Sequence, residues 1–316
     1  MKKNKDRIYI KSWLNYKPYE KQVISDSYYL ELCNKVCEAI YSYKNNPNFN
    51  IILDNKVIDD FSCFITSYFE DLISGTNIWN TFLKLHEELY NKPLPFYDTV
   101  DYCKKEINQH DISFLLWYYV MYNENLIYPN HENITKMAKV IYDVFDKEWE
   151  YAPENEFLKS FYKIDENETD FYEARKLMDK ILFKSYLFQI DTYARLIEEE
   201  IEVFNENKDD VEHISSLVYE VRASGIHNYC TRLLALKSNE WTAHLLGKNH
   251  PLYHDFLNMS PRIYSYFYYI GQDEYDIFIE HIATGKKFKL TKKSLNTPDL
   301  NRPGLFKIIN EILLLG

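Results

Sequence analysis

The feature that most constrains the fold is a segment in the middle of the chain, residues 111–149, which combines two apolar patterns. Residues 112–121 are apolar on nearly every side, and apolar residues return after Pro129 at helical spacing. This pattern predicts a buried central helix with an amphipathic helix packed on it. The segment offers no nucleophile, ligand set or phosphate loop. We expect four of its side chains to be buried, namely Phe114, Leu115, Trp117 and Phe145.

Glycine is scarce in this chain. Only 7 glycines occur in 316 residues, about a third of average usage. Phosphate-cradling loops and tight two-residue hairpins need glycine for positive φ angles or close backbone approach. The scarcity argues against a Rossmann fold, a P-loop enzyme or a large β-protein, and we expect no cofactor. It favours helices.

The spacing of apolar residues elsewhere predicts a mainly α protein. A multi-helix body is expected over residues 1–260, with its best internal boundary at the charged segment 165–170. A long helix is expected over residues 171–204, bent near 189–192. Because 46% of the residues are hydrophobic, the chain is expected to be folded rather than a solvated tail.

The carboxyl-terminal part of the chain has a different character. Residues 261–296 contain three β-prone runs separated by turns, which predict a small antiparallel meander. Alternate residues of a strand face opposite sides, so the tyrosines of residues 264–269 cannot all face one core. Three strands also need a covering element. The apolar tail, residues 297–316, is therefore expected to fold back over the sheet or the body, with a helix over 305–315. Cover by a second copy of the chain is the alternative.

Charge and cysteine content restrict the compartment and the partners. The net charge of −11 disfavours nucleic acid, and the lysine run at 286–293 is interpreted as a solvated sheet edge. We expect no signal peptide, and no apolar run is long enough for a membrane span. Cys33 and Cys37 lie four residues apart without a second pair, so the five cysteines are predicted to be reduced thiols without zinc. These features favour the cytoplasm.

Several short phrases suggest a family. They are WNTF at 79–82, KPLPFY at 92–97, FLLWY at 114–118, WEYAPEN at 149–155, YIGQ at 269–272 and ATGKK at 283–287. Together they resemble an uncharacterised bacterial family that is known only as a domain of unknown function. The resemblance spans residues 8 to about 295 and implies no catalytic residues. It implies that the β segment continues further, whereas this chain leaves the pattern after about residue 295.

Two patterns could carry catalysis. Arg222 and His227 have the spacing of the Arg–His motif of HEPN-type ribonucleases, in which the pair would position the RNA phosphate while a 2′-hydroxyl attacks. The motif is short and frequent by chance, Ala223 replaces the usual polar residue, and Gly225 weakens a helix. In the second pattern His250 and His254 could face one metal ion of a hydrolase if a helix begins near Pro251. That pattern lacks the glutamate of an HExxH motif and an assigned third ligand.

The aromatic surplus is the remaining functional signal. The chain contains 29 tyrosines and 19 phenylalanines. Most of them are interpreted as core residues, and those of residues 264–269 are the exception, because tyrosine retains a polar end that suits an interface. We therefore expect a non-enzymatic cytoplasmic protein that binds a protein partner or itself, as an interaction or scaffold protein. A metal-independent ribonuclease using Arg222 and His227, or a metal-dependent hydrolase using His250 and His254, is the alternative.

Overall fold

A computed structural model gives the fold. It describes residues 7–45, 54–100, 102–123, 126–208, 214–260, 263 and 265–294, with the backbone of 305–308. As predicted, the chain is mainly α-helical with an antiparallel sheet at its carboxyl end. It divides into two compact units, the first made of Met1–Lys163 with Lys180–Asp191, the second of Ile164–Asp179 with Thr192–Gly316. One dividing point lies beside the predicted boundary at 165–170. The predicted division into body, meander and tail stays a prediction.

The first unit is helical. Its helices are α1 (Ile10–Leu14), α2 (Asp26–Lys44), α3 (Asn55–Ser74), α4 (Ile78–Tyr90), α5 (Gln109–Tyr122), α6 (Glu132–Glu148) and α7 (Glu156–Phe161). The chain enters the second unit at Ile164 and returns to the first within α8 (Phe171–Lys184), so that the short α9 (Tyr186–Phe188) belongs to the first unit. Asp54 begins α3 by accepting a hydrogen bond from the Val57 amide, and Gly75 ends it at a positive φ of 64°.

Helices α3 and α5 form the centre of this unit. Nine of the 14 residues of α5 are buried, which confirms the central helix. Phe69 stacks on Phe145 of α6 with ring centroids 4.6 Å apart, and Phe114 and Leu115 are buried. The prediction for Trp117 was wrong, because its side chain is only half-buried. Its indole N–H donates to the Ile127 carbonyl at 3.0 Å, as expected of an amphipathic ring at the margin of a core.

The second unit contains α10 (Ala194–Glu206), α11 (Ile214–Asn228), α12 (Ser238–Leu246) and α13 (Tyr253–Leu257). The single helix expected over 171–204 is interrupted. Ser185 breaks it and caps α9 by accepting from the Leu187 amide, and Gln189–Tyr193 forms a π-helical segment before α10. The π-helical segment lies at the position where the sequence analysis expected a bend, residues 189–192.

The sheet consists of β1 (Ser265–Gln272), β2 (Asp276–His281), β3 (Lys287–Thr291) and β4 (Leu305–Ile308), in the antiparallel order β3-β2-β1-β4. Strands β1 to β3 form the predicted meander, with a bulge between Tyr269 and Gly271. One face carries a small apolar core of Phe267, Ile277, Ile279, Phe288 and Leu290.

The conformation predicted for the tail was wrong where the structure describes it. Residues 305–308 form a strand paired with β1, from Ser265↔Ile308 to Tyr268↔Leu305, instead of the expected helix. Pairing satisfies the backbone groups that β1 would otherwise leave open on that side, a gain that a helix packed on the sheet face cannot supply. Residues 297–304 and 309–316 lie outside the described residues.

Candidate functional site

The structure separates the two members of the ribonuclease pattern. Arg222 and His227 lie five positions apart on α11, which is about 140° around a helix. The Arg222 guanidinium binds the Glu200 carboxylate of α10 through both Nε and Nη2, the latter at 3.0 Å. Its side chain is half-exposed, whereas His227 is buried. Nothing in this placement favours the pair, and its role in RNA cleavage stays a prediction.

His250 and His254 are also placed differently from one another. His250 is buried, with Nε2 3.0 Å from the Asp165 carbonyl and Nδ1 accepting from the Leu252 amide at 3.2 Å. His254 is exposed on α13. Both ring nitrogens of His250 are thus used by the main chain. Among the residues that the structure describes, no three His, Cys, Asp or Glu side chains are grouped to hold a metal ion. The metal assignment stays a prediction.

The cysteines that could have formed a zinc pair are free thiols. Cys33, Cys37 and Cys63 are buried, and the sulfurs of Cys33 and Cys63 lie 3.7 Å apart. Burial raises the pKa of the Cys33 thiol and raises that of Cys37 to about 12. Because the thiolate is the nucleophile and the metal ligand, neutral thiols of this kind suit packing better than chemistry.

A buried ion pair that the sequence did not predict occupies the centre of the first unit. The Lys17 ammonium contacts the Glu70 carboxylate, and the two side chains are 1% and 0% exposed. The same ammonium donates to Ser67 Oγ at 3.2 Å and lies 3.7 Å from the ring centroid of Trp13. Burial raises the pKa of Glu70, and the charge of Lys17 opposes that shift. A buried pair needs such additional partners to offset its desolvation.

Hydrogen bonds extend this pair to the loops around it. The Asn155 amide donates to Glu70 at 2.8 Å and to the Tyr19 hydroxyl at 2.9 Å. Tyr19 in turn donates to the Asp26 carboxylate at 2.9 Å, which also accepts from the Trp13 indole at 2.8 Å. One connected network therefore joins the amino-terminal arm, the start of α2, the end of α3 and the loop before α7.

Two further carboxylates of the first unit, Asp71 and Asp111, are buried. Asp71 accepts from the Trp79 amide at 2.8 Å and from the Tyr186 hydroxyl at 3.0 Å. Asp111 accepts from the hydroxyls of Tyr68 at 2.8 Å and Tyr102 at 2.6 Å. Burial raises both pKa values, that of Asp111 to about 7. These contacts connect α3, α4, α5 and α9 within the first unit.

A groove opens at the surface above the Lys17–Glu70 network. It has a volume of about 590 Å³ and lies between residues 22–28 and residues 153–157. Its lining is mainly apolar and consists of Gln22, Val23, Ile24, Ser25, Tyr28, Pro153, Glu154, Asn155, Glu156 and Phe157. Ile24 is 99% exposed and Phe157 is 49% exposed. We call this feature the 24/157 groove.

Hydrogen bonds and ring contacts to neighbouring residues fix the walls of the 24/157 groove. Asn155, part of the buried network, also caps α7 by accepting from the Leu158 amide at 3.0 Å. Phe157 packs edge-on against Tyr19 with centroids 5.1 Å apart. Tyr28 donates to Glu148 at 2.7 Å on the opposite side. The groove is therefore a preformed feature of the fold.

A larger depression, about 1,090 Å³, follows the exposed side of α2 between Arg7 and Asn55. Its lining is predominantly polar, whereas the lining of binding sites is usually predominantly apolar. The 24/157 groove is the better candidate. Of the phrases in the sequence, the one at 149–155 reaches its lining, but the burial of Lys17 beneath it could not be foreseen because lysine is rarely buried.

Comparison with protein families assigns the chain. The family described as "Protein of unknown function (DUF3843)" matches residues 7–267. The chain belongs to this family. The match includes both walls of the 24/157 groove and ends within β1, so β2 and β3 lie beyond it. No curated protein and no solved structure matches the chain. No helix among the described residues combines the length and apolarity that a bilayer span requires.

Proposed function

We propose that this protein is a non-enzymatic interaction protein of the cytoplasm, and that the 24/157 groove receives an apolar side chain from a protein partner. The observation that carries the proposal is the exposure of Ile24, 99%, beside an apolar groove of about 590 Å³. An apolar side chain entering the groove would remove Ile24 and Phe157 from water, which is the main driving force of association.

The rigidity of the groove supports this function. Asn155 and Tyr19 belong to the buried network, and Tyr29 donates to the Pro153 carbonyl at 2.6 Å. Walls that are already ordered lose little conformational entropy on binding, so more of the contact energy appears as affinity.

The charges at the groove indicate the kind of partner. Two of its lining residues, Glu154 and Glu156, carry carboxylates, and none of the lining side chains is cationic. Lys159 pairs with Glu154 at 2.7 Å from outside the groove. The net charge of the whole chain is −11. A segment with an apolar anchor next to lysine or arginine fits this field, whereas an acidic segment would be repelled.

The proposed compartment rests on the thiols. The Cys33 and Cys63 sulfurs lie 3.7 Å apart without a bond, whereas a disulfide would bring them to about 2.05 Å. Adjacent free thiols of this kind are typical of a reducing compartment such as the cytoplasm.

Site-specific photo-crosslinking in cells tests the proposal. A photoreactive residue in place of Ile24 should yield a discrete adduct that mass spectrometry assigns to a partner protein. The matched control is Val100, which is also aliphatic and 85% exposed but lies outside the groove. Adducts that are absent, or identical at the two positions, would contradict the proposal.

The partner then permits a quantitative test. Binding of the purified partner should weaken by about tenfold or more in Ile24→Asp, since a charge would enter an apolar contact. It should be unchanged in Val100→Asp. A smaller loss in Glu156→Gln, together with weaker binding at high salt, would support the basic character of the partner.

A further inference from the structure

Along β1, the outer face of the carboxyl-terminal sheet is apolar where solvent-facing strands are usually polar. Tyr266, Tyr268 and Ile270 of β1 are each about half-exposed, at 51%, 52% and 50%. β1 lies between β2 and β4, and Tyr266 and Tyr268 are paired on the β4 side as well, so these two tyrosines are in the interior of the sheet and not at its edge. The opposite face already contains the five-residue apolar core.

Neighbouring strands continue this face. Phe278 of β2 lies opposite Gly271 on β1 and is partly exposed. Ile282 is 40% exposed, and its amide donates to the Tyr266 carbonyl at 3.2 Å. We call the five residues Tyr266, Tyr268, Ile270, Phe278 and Ile282 the tyrosine face. Contiguous apolar patches of this kind mark interaction surfaces.

The charges beside the tyrosine face have both signs. Glu280 on β2 is opposite Tyr268 on one side and opposite Lys287 of β3 on the other. Lys289 binds Asp276 at 3.1 Å in the same strands. The carboxylates of Glu280 and Asp276 would repel nucleic acid phosphates. The same pattern is complementary to itself, since a two-fold axis can bring Glu280 of one copy near Lys287 of another.

We propose that the tyrosine face is an interface between two copies of this chain. Apolar side chains would meet at its centre, and lysines and carboxylates would pair around it, as in symmetric homodimers. Most of the chain repels a second copy because the net charge is −11. This locally balanced face is the place where two copies can approach. The inference does not depend on the 24/157 groove.

Sedimentation equilibrium of the full-length chain tests this interface. The wild type should show a concentration-dependent dimer. Tyr266→Thr with Tyr268→Thr removes the aromatic rings but retains β-propensity, and should weaken dimerisation by about tenfold or more. The matched control, Tyr151→Thr, removes a tyrosine that is 75% exposed in the first unit and should leave the dimer unchanged. A wild-type monomer up to its solubility limit would overturn the proposal.

A mixing experiment separates contact between copies from effects within one copy. Glu280→Lys makes the face basic, and Lys287→Glu with Lys289→Glu makes it acidic. Each variant alone should dimerise more weakly than the wild type, and an equimolar mixture should recover association as a heterodimer. A mixture that recovers nothing would overturn the interface. Circular dichroism of each variant checks that the fold is retained, and Ile24→Asp should dimerise like the wild type.

Discussion

The interior of the first unit and the sheet of the second distribute polarity in opposite ways. The first unit buries a lysine and several carboxylates completely, including Lys17, Glu70, Asp71 and Asp111. The sheet buries five apolar side chains on one face and exposes the tyrosine face on the other. The first unit therefore has charged side chains in its interior, whereas the sheet has apolar side chains on its exposed surface.

The difference follows from the number of partners that each region supplies. In the first unit, arm, loops and helices give each charge hydrogen-bonding partners. Asn155 and Lys17 donate to Glu70, and Ser67 accepts from Lys17, so desolvation is offset. A sheet of four strands has one layer and two faces, and five side chains can cover only one of them. The first unit thus satisfies its buried polar groups internally, whereas the sheet leaves apolar side chains of the tyrosine face exposed, as the proposed interface between copies requires.

The largest expected effect comes from breaking the buried pair. Lys17→Ala would leave Glu70 buried without its cation, and we expect the free energy of unfolding to fall by about 3–5 kcal/mol. Urea denaturation of the wild type and the variant measures this difference in the free energy of unfolding. Lys136→Ala is the control, because the Lys136–Glu132 pair is exposed and should not shift the midpoint. Equal midpoints for both variants would mean that the network does not stabilise the unit.

The next prediction compares the two faces of the sheet. Ile279 is 1% exposed in the sheet core, and Ile279→Ala should lower the stability of the sheet by about 2–5 kcal/mol. Tyr268→Thr, on the outer face, should change the stability of the monomer by less than about 0.5 kcal/mol. The hydrogen-exchange protection of the β1–β3 amides measures these two changes in stability. A comparable loss of protection in both variants would show that the tyrosine face packs within its own chain.

A pH dependence is expected from Asp111. Burial raises the pKa of this carboxyl to about 7, above its ordinary value of 3.8. Between these pH values the folded state therefore binds more protons than the unfolded state, so stability should fall as pH rises from about 4 to 7 and level off above. Asp111→Asn mimics the protonated acid and cannot ionise.

The variant isolates this group from the other buried carboxylates. Relative to Asp111→Asn, the wild type should lose about 1–4 kcal/mol between pH 4 and pH 8, since one pKa unit corresponds to about 1.4 kcal/mol. Thermal or urea denaturation at several pH values measures the difference. If stability changes with pH in the same way in the wild type and in Asp111→Asn, Asp111 keeps its ordinary pKa.

The smallest effect is expected at Arg222. Its side chain is 53% exposed, so loss of the pair with Glu200 in Arg222→Ala should lower stability by only about 0.2–1 kcal/mol. The same variant examines the ribonuclease alternative. Cleavage of a labelled RNA by the wild type, abolished in both Arg222→Ala and His227→Ala, would support that activity and count against a purely binding role.

The positions of the secondary-structure elements were largely predictable from the sequence. Spacing of apolar residues identified α5 and α6, and alternation with turn residues identified β1 to β3. These signals are local, because each depends on residues within one or two turns of the same element. The irregularity of the long helix near residue 189, where the structure has a π-helical segment, was also predicted from the sequence.

Tertiary structure decided the burial of Lys17, the half-exposure of Trp117 and the strand at residues 305–308. It also formed the 24/157 groove, whose walls are more than 100 residues apart in the chain. Each of these outcomes depends on partners remote in sequence, such as Glu70 and Asn155 for Lys17. A side chain's own chemistry determines what its burial would cost, but the packing of distant segments determines whether that cost is offset.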